Sequence, residues 1–154
     1  MAQIDLDKTL AARIEDVFEL LSDHAGYTRF RSFRTAELLH EGTEERNGVG
    51  ALRLLVAGPL RFEEEVTAFE RPTRMDYLIR KVNLPIEHEG GTIRLSPAGS
   101  GTRVLWRSTF HVNVAVAGGA MGGLLAAALR RGFIRLLDDI DRLAAESPAA
   151  PGQR

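Results

Sequence analysis

The stretch GAMGGLLAAALRRGFIRLLDDIDRLAAE, residues 119–146, decides the fold of this chain. Its apolar side chains recur at helical steps of three or four residues, in the order Leu125, Leu129, Phe133, Leu136, Ile140 and Leu143. This spacing puts them on one face of a long helix, and such a helix has to bury its apolar stripe against another element. The sequence therefore predicts a long C-terminal helix that packs on the rest of the domain.

The chain before this helix shows the period-two alternation and the turn residues that are typical of strands. In chain order we predict a strand at 4–10, a helix at 14–21, a short second helix or turn at 27–33, and strands at 34–41, 49–57, 60–70, 74–82, 86–96 and 102–112. Glycine, proline and asparagine fill the short connections, which favours antiparallel neighbours over helical crossovers. The predicted fold class is α+β, with a seven-stranded antiparallel sheet wrapped around the long C-terminal helix and two short helices after the first strand.

Length and composition are those of one ordinary globular domain. The 154 residues suffice for a single core. The 20 basic and 21 acidic residues leave a formal charge of −1, which argues against broad electrostatic binding to nucleic acid. The absence of cysteine excludes disulfides, thiolate metal sites and cysteine nucleophiles. We expect one domain over residues 1–146 and a flexible tail over 147–154, where prolines and small residues cannot form a core.

No segment has the pattern of a signal peptide or a membrane span. The N-terminus is acidic and alternating, and the most apolar stretch, residues 112–129, is interrupted by Asn113 and four glycines. We therefore expect a cytoplasmic protein without integral membrane association. The segment Gly118–Gly123 lacks the lysine of a phosphate-binding loop, and it indicates either a flexible gate before the long helix or close backbone packing.

One carboxylate stands in the apolar phase of a predicted strand. Glu64 shares its face with Phe62 and Val66, whereas Glu63 and Glu65 share the other face. Burial of an unpaired carboxylate is costly. The position therefore indicates either a functional acid, base or hydroxyl acceptor in a cavity, or an ion pair with a nearby arginine.

His88 faces the same interior only if its strand contains a bulge. Ile93 and Leu95 set the inward phase late in that strand, and this phase alone sends His88 outward. One extra residue at Gly90-Gly91 would reverse the phase, and we predict such a bulge. The four histidines have no metal-ligand spacing, so we predict no metal site and no cofactor.

Aromatic and aliphatic side chains in phase with these polar groups complete a predicted cavity. A tyrosine or tryptophan in such a row can orient a ligand, although a plain core is the alternative for each of them. The predicted ligand-binding residues are Phe30, Leu54, Phe62, Glu64, Tyr77, Ile79, His88, Trp106, Phe110, Leu125, Leu129 and Phe133.

Five local motifs occur along the chain: AARIEDVF at 11–18, DHAGY at 23–27, GVGA at 48–51, VTAFERP at 66–72 and GTRVLW at 101–106. Their order and spacing resemble the START-like, Bet-v-1-like (SRPBCC) superfamily, and within it the bacterial polyketide cyclase/dehydrase and lipid-transport group. The resemblance spans about residues 2–146. It implies the helix-grip fold, with an apolar ligand held between the sheet and the long helix.

The resemblance leaves three functions open. The first is a carrier or sensor that binds a small hydrophobic, lipid-like or polycyclic molecule in this cavity. The second is a polyketide cyclase/dehydratase-type enzyme, in which Glu64, His88 and Tyr77 would transfer protons. The third is a protein-interaction module with an apolar groove. We expect the partner to be a small hydrophobic molecule rather than a nucleic acid, and the chain to be a monomer or a homodimer.

Overall fold

The computed structural model of the chain describes residues 1–114 and 118–146. Its elements in chain order are β1 (Ala2–Leu10), α1 (Ile14–Ser22), a 3₁₀ helix (His24–Arg29), β2 (Thr35–His40), β3 (Leu52–Ala57), β4 (Leu60–Glu70), β5 (Arg74–Val82), β6 (Ile86–Ala98), β7 (Gly101–Val112) and α2 (Gly118–Glu146). The strands form one antiparallel sheet in the order β1-β7-β6-β5-β4-β3-β2. The predicted helix-grip fold is confirmed, while the predicted tail at 147–154 lies outside the described residues.

Two predicted boundaries were wrong by a few residues. The third strand begins at Leu52 rather than at 49, because the pairing with β4 is irregular before it. The Gly50 N–H donates to the Val66 carbonyl and the Val66 N–H donates to the Ala51 carbonyl, both at 2.9 Å, so two residues face one residue of β4 there. The second short helix spans His24–Arg29 rather than 27–33. This helix ends at Arg29, where the Phe30 N–H donates to the carbonyl of Tyr27, three residues earlier, and the backbone of Phe30 is already extended.

The helix α2 crosses the inner face of the sheet, packed tightly in its C-terminal half and loosely in its N-terminal half. Leu136, Leu137 and Ile140 are fully buried, whereas Leu129 and Phe133 are only half-buried. The predicted stripe does face the sheet, since Phe133 packs on the last strand. Because the strongly twisted sheet curves away from a straight helix, space remains under the N-terminal half of α2.

Two aspartates of α2 fasten its C-terminal half to the N-terminal segment of the chain. Asp141 accepts the backbone N–H groups of Ala11 and Ala12 at 3.1 and 2.8 Å. Asp139 is buried and accepts both the backbone N–H and the guanidinium of Arg31, at 2.9 and 2.8 Å. Burial alone would raise the pKa of Asp139, but the hydrogen bonds from Arg31 outweigh it and leave that pKa below its ordinary value.

No helix in the described part of the chain is both long and apolar enough to cross a bilayer. The segment Gly118–Gly123 lies inside the first turns of α2 rather than before the helix, which corrects the sequence-based placement. A Cβ atom at Gly122 would come within 3.3 Å of the Ala2 side chain, whereas one at Gly123 would meet no described atom within 4 Å, so close packing explains Gly122 but not Gly123.

Candidate functional site

Two adjoining chambers lie between the inner face of the sheet and the N-terminal half of α2. The large chamber holds about 100 Å³ and the small chamber about 50 Å³. Both are lined by Leu60, Phe62, Glu64, Leu129 and Phe133, so the Glu64 carboxylate stands where they meet. Both chambers are partly open to the surface. Pockets for drug-sized ligands hold roughly 300–1,000 Å³, so these two chambers fit one ring or a short chain.

The polar centre of the large chamber is a buried ion pair between neighbouring strands. Arg53 of β3 lies directly opposite Glu64 of β4 in the sheet register. Its Nε and Nη2 atoms both donate to Oε1 of Glu64, at 2.9 and 2.5 Å. The two side chains are only 5% and 8% exposed, so both charges are almost fully withdrawn from water. Of the two alternatives for Glu64, the structure shows the ion pair with an arginine.

Two further side chains complete the surroundings of the Arg53 guanidinium. Its Nη1 donates to Nδ1 of His24 at 3.2 Å, and Nε2 of His24 donates to the Asn47 carbonyl at 2.8 Å. Burial, together with the adjacent Arg53 charge, lowers the pKa of His24 to about 3, so this ring is neutral at pH 7. The other side of the guanidinium packs on the ring of Tyr27, at 4.4 Å from its centroid.

His88 points inward because β6 contains the predicted bulge, in which Glu89 is the extra residue before Gly90. The backbone N–H of Ile79 donates to Nδ1 of His88 at 3.0 Å, which places the proton of the neutral ring on Nε2. Nε2 then donates to Oγ of Ser108 at 2.9 Å. Burial lowers the pKa of His88 to about 4, so the ring is neutral at pH 7. Both ring nitrogens are therefore engaged.

Three aromatic rings form a wall between these two polar groups. Nε1 of Trp106 donates to the Tyr77 hydroxyl at 2.9 Å, and the Trp106 ring stacks on Phe133 with centroids 4.0 Å apart. Burial raises the pKa of Tyr77, so its hydroxyl stays protonated at any physiological pH. The Tyr77 ring lies against Gly91 of β6, where a Cβ atom would come within 2.1 Å of it. Glycine at position 91 is what lets the tyrosine lie flat across its neighbouring strand.

A comparison of the whole domain with protein families gives one match. The family model described as polyketide cyclase / dehydrase and lipid transport covers residues 1–145. The chain belongs to this family. Its description covers both cyclases and lipid carriers, which are the first two functions that the sequence left open. Comparison with curated proteins gives no match.

Solved structures with the same fold come from several bacteria. The Zhui aromatase/cyclase of Streptomyces sp. R1128 is 20% identical, with a TM-score of 0.78 over 97% of both chains. A protein from Thermus thermophilus is 21% identical, with a TM-score of 0.75 over 94% of this chain and 99% of that chain. A START superfamily protein from Mycobacterium smegmatis is 14% identical, with a TM-score of 0.75 over 93% and 99%. At these identities the likeness shows the fold alone.

Most residues predicted for the cavity of this family member do line the chambers. They are Phe62, Glu64, Tyr77, Ile79, His88, Trp106, Phe110, Leu129 and Phe133. They come together because the inward-facing side chains of β4, β5, β6 and β7 point toward the same face of α2. Contact of these side chains with a ligand stays a prediction.

Three predicted residues do not line the chambers. Leu54 pairs with Glu63 and shares its outward face, so Arg53 and Leu55 take the inward positions of β3 instead. Phe30 is core, packed edge-on against Tyr27 with centroids 4.9 Å apart. Leu125 is half-buried on α2, two helical turns before Phe133 and beyond the end of the space.

Sequence reasoning missed Arg53 and His24 as members of the site, whereas it placed Ser108 on the same inward face of the last strand as Trp106 and Phe110. A signal for Arg53 exists, because a tight turn at Gly58-Pro59 between two strands sets the register in which Arg53 faces Glu64. No comparable signal exists for His24, which reaches Arg53 from a separate helix. Within the described residues, no group of three histidine, aspartate or glutamate side chains is placed to hold a metal ion.

Proposed function

We propose that this protein is a carrier or sensor that binds a small apolar molecule in the two chambers. The observation that supports this proposal is that the chamber walls leave few polar atoms for a ligand. Nε and Nη2 of Arg53 both donate to Oε1 of Glu64, and both nitrogens of His88 bond to the protein. The hydrogen bonds to Glu64 from described residues all end on Oε1, so its other oxygen, Oε2, is left for a ligand hydroxyl. The remaining wall surface is largely apolar, so most of the ligand has to be apolar as well.

The same geometry disfavours the enzyme of the second alternative. A general base needs a free lone pair facing the reacting atom. The Nδ1 lone pair of His88 is occupied by the Ile79 N–H, and Oε1 of Glu64 accepts two hydrogen bonds from Arg53. His88 therefore has no free lone pair for a reacting atom, and Glu64 keeps only Oε2 for one.

The experiment uses toluene, a one-ring probe that matches the volume of the chambers, since an engineered apolar cavity of roughly 150 Å³ binds benzene. The chain has a single tryptophan, so the indole N–H resonance of Trp106 reports directly on the chambers in NMR titrations. We expect saturable shifts of this resonance. Leu129→Phe fills space in both chambers and should raise the Kd for toluene at least tenfold.

The control is Leu124→Phe, the same substitution on the outer side of the same helix, where Leu124 is 75% exposed. This variant should change the Kd less than twofold. Equal effects of the two substitutions, or no shift of the Trp106 resonance, would refute binding in the chambers. A bound molecule that is recovered from the native host and then changes mass on incubation with the protein, but not with Glu64→Gln, would favour the enzyme.

A further inference from the structure

The sheet is split between β5 and β6. Backbone pairing of these strands runs only from Arg74 opposite Arg94 to Tyr77 opposite Gly91. Beyond Tyr77 the ladder ends, although both strands continue toward the loop that joins them. The ladder between β6 and β7 continues along the same stretch, so the gap lies on the β5 side of β6 alone.

The loop at the end of the split is tied to the outer neighbours of the two strands. The Asn83 N–H donates to the Arg61 carbonyl on β4 at 3.1 Å, and the Arg61 N–H donates back to Oδ1 of Asn83 at 2.9 Å. On the other side, the Asn113 N–H donates to the Pro85 carbonyl at 2.7 Å. The start of the loop is thus hydrogen-bonded to β4, and its end is hydrogen-bonded to the residue after β7. These bonds hold β5 and β6 apart.

An open groove of about 490 Å³ lies along this split. Four of its residues also line the small chamber, namely Ile79, Val82, Ile86 and His88. The groove and the small chamber therefore lie on opposite sides of a thin wall that these four residues form. The hydrogen bond from the Ile79 N–H to His88 is a side-chain bridge across the gap, in place of backbone pairing.

We propose that the ligand is an amphiphile that lies through this split, with its apolar end in the chambers and its polar end in the outer groove. This inference rests on the proposed binding function and adds the ligand class and its path. Volume supports it, because the chambers are too small for a lipid-like molecule while the groove supplies the missing space.

Hydration of the head group sets the direction in which the amphiphile lies. At the inner end of the path Glu64 is already paired with Arg53, so a charged head group there would lose its water without gaining a free counter-charge. The outer groove carries Arg80 and Lys81, whose side chains are 50% and 79% exposed, with Glu87 on the facing strand. Both cations pair with glutamates of β4, so the groove carries no net positive charge, but it is open to water. A carboxylate in the groove therefore keeps its hydration, which it would lose in the apolar chamber.

The test compares decanoate, below its micelle concentration, with toluene. In the unaltered protein, decanoate should shift the Trp106 indole resonance and the backbone amide resonances of Arg80, Lys81 and Glu87, which line the groove but not the chambers. Toluene should leave these three amides unshifted. Val82→Phe adds bulk to the shared wall and should raise the Kd for decanoate at least tenfold, while the Kd for toluene changes less than threefold. The control is Val49→Phe, the same substitution at an exposed loop position, which should alter neither Kd.

The outcomes separate the two proposals. If toluene binds but decanoate leaves the amides of the split unshifted, or if Val82→Phe weakens both probes equally, the path through the split is wrong and the binding function stands. If neither probe shifts the Trp106 resonance, the binding function itself fails, and the path through the split fails with it. The amide shifts come from the unaltered protein, so they decide the matter even if Val82→Phe does not fold.

Discussion

The buried pair of Arg53 and Glu64 makes a strong prediction about stability. Arg53→Met keeps most of the apolar length of the side chain but leaves the Glu64 carboxylate without its counter-charge. Because the two side chains are only 5% and 8% exposed, water cannot replace the lost partner. Removal of one partner from such a pair costs about 3–5 kcal/mol. His24 also loses the donor to its Nδ1, which adds roughly 1 kcal/mol.

The assay is urea unfolding at pH 7, followed by the fluorescence of Trp106. With a urea m-value of about 2 kcal/mol per molar, a loss of about 4 kcal/mol lowers the midpoint by about 2 M. The double variant Arg53→Met/Glu64→Leu should regain most of this loss, because apolar replacement of a whole buried ion pair is often neutral or stabilising. A loss below about 1 kcal/mol for Arg53→Met, or a double variant as unstable as the sum of the single ones, would refute the argument.

Three further predictions concern the chamber walls. The pKa of His88 is lowered to about 4 and that of His24 to about 3, so the unfolded state binds protons first at both rings as the pH falls. The contribution of each ring to stability should be complete above about pH 6.5 and decline by roughly 3 kcal/mol toward pH 4. His88→Gln should remove about half of the combined decline in urea midpoints measured at pH 7 and 4.5, and an unchanged decline would contradict the lowered pKa of this ring. Phe133→Ala should cost less than about 3 kcal/mol, because the ring borders empty space, and should shift the emission of Trp106 to the red; a cost of about 5 kcal/mol would mean a filled site. Gly91→Ala should displace the ring of Tyr77 and move the indole resonance of Trp106, and an unchanged resonance would show that the ring tolerates a side chain there.

Several features of this protein could be predicted from the sequence because they depend on local periodicity. The steps of three and four in the last helix determine which face it buries, and alternation along β4 turns Glu64 inward. The bulge that brings His88 inside was predictable for the same reason, although it lies at Glu89-Gly90, one residue before the predicted Gly90-Gly91; Gly90, with a positive φ, allows the change of phase. In each case the side-chain direction follows from the backbone period of a single segment.

The tertiary structure alone decided how these segments meet. Leu54 was predicted as a ligand-binding residue, but the pairing of β3 with β4 gives the inward position to Arg53 and so joins it to Glu64. The small volume of the chambers and the split between β5 and β6 depend on distant contacts, such as those of Asn83 with β4 and of Pro85 with the end of β7. The hydrophobic periodicity of a single segment cannot predict such contacts, because they arise from the curvature of the whole sheet and from how its strands pack against one helix.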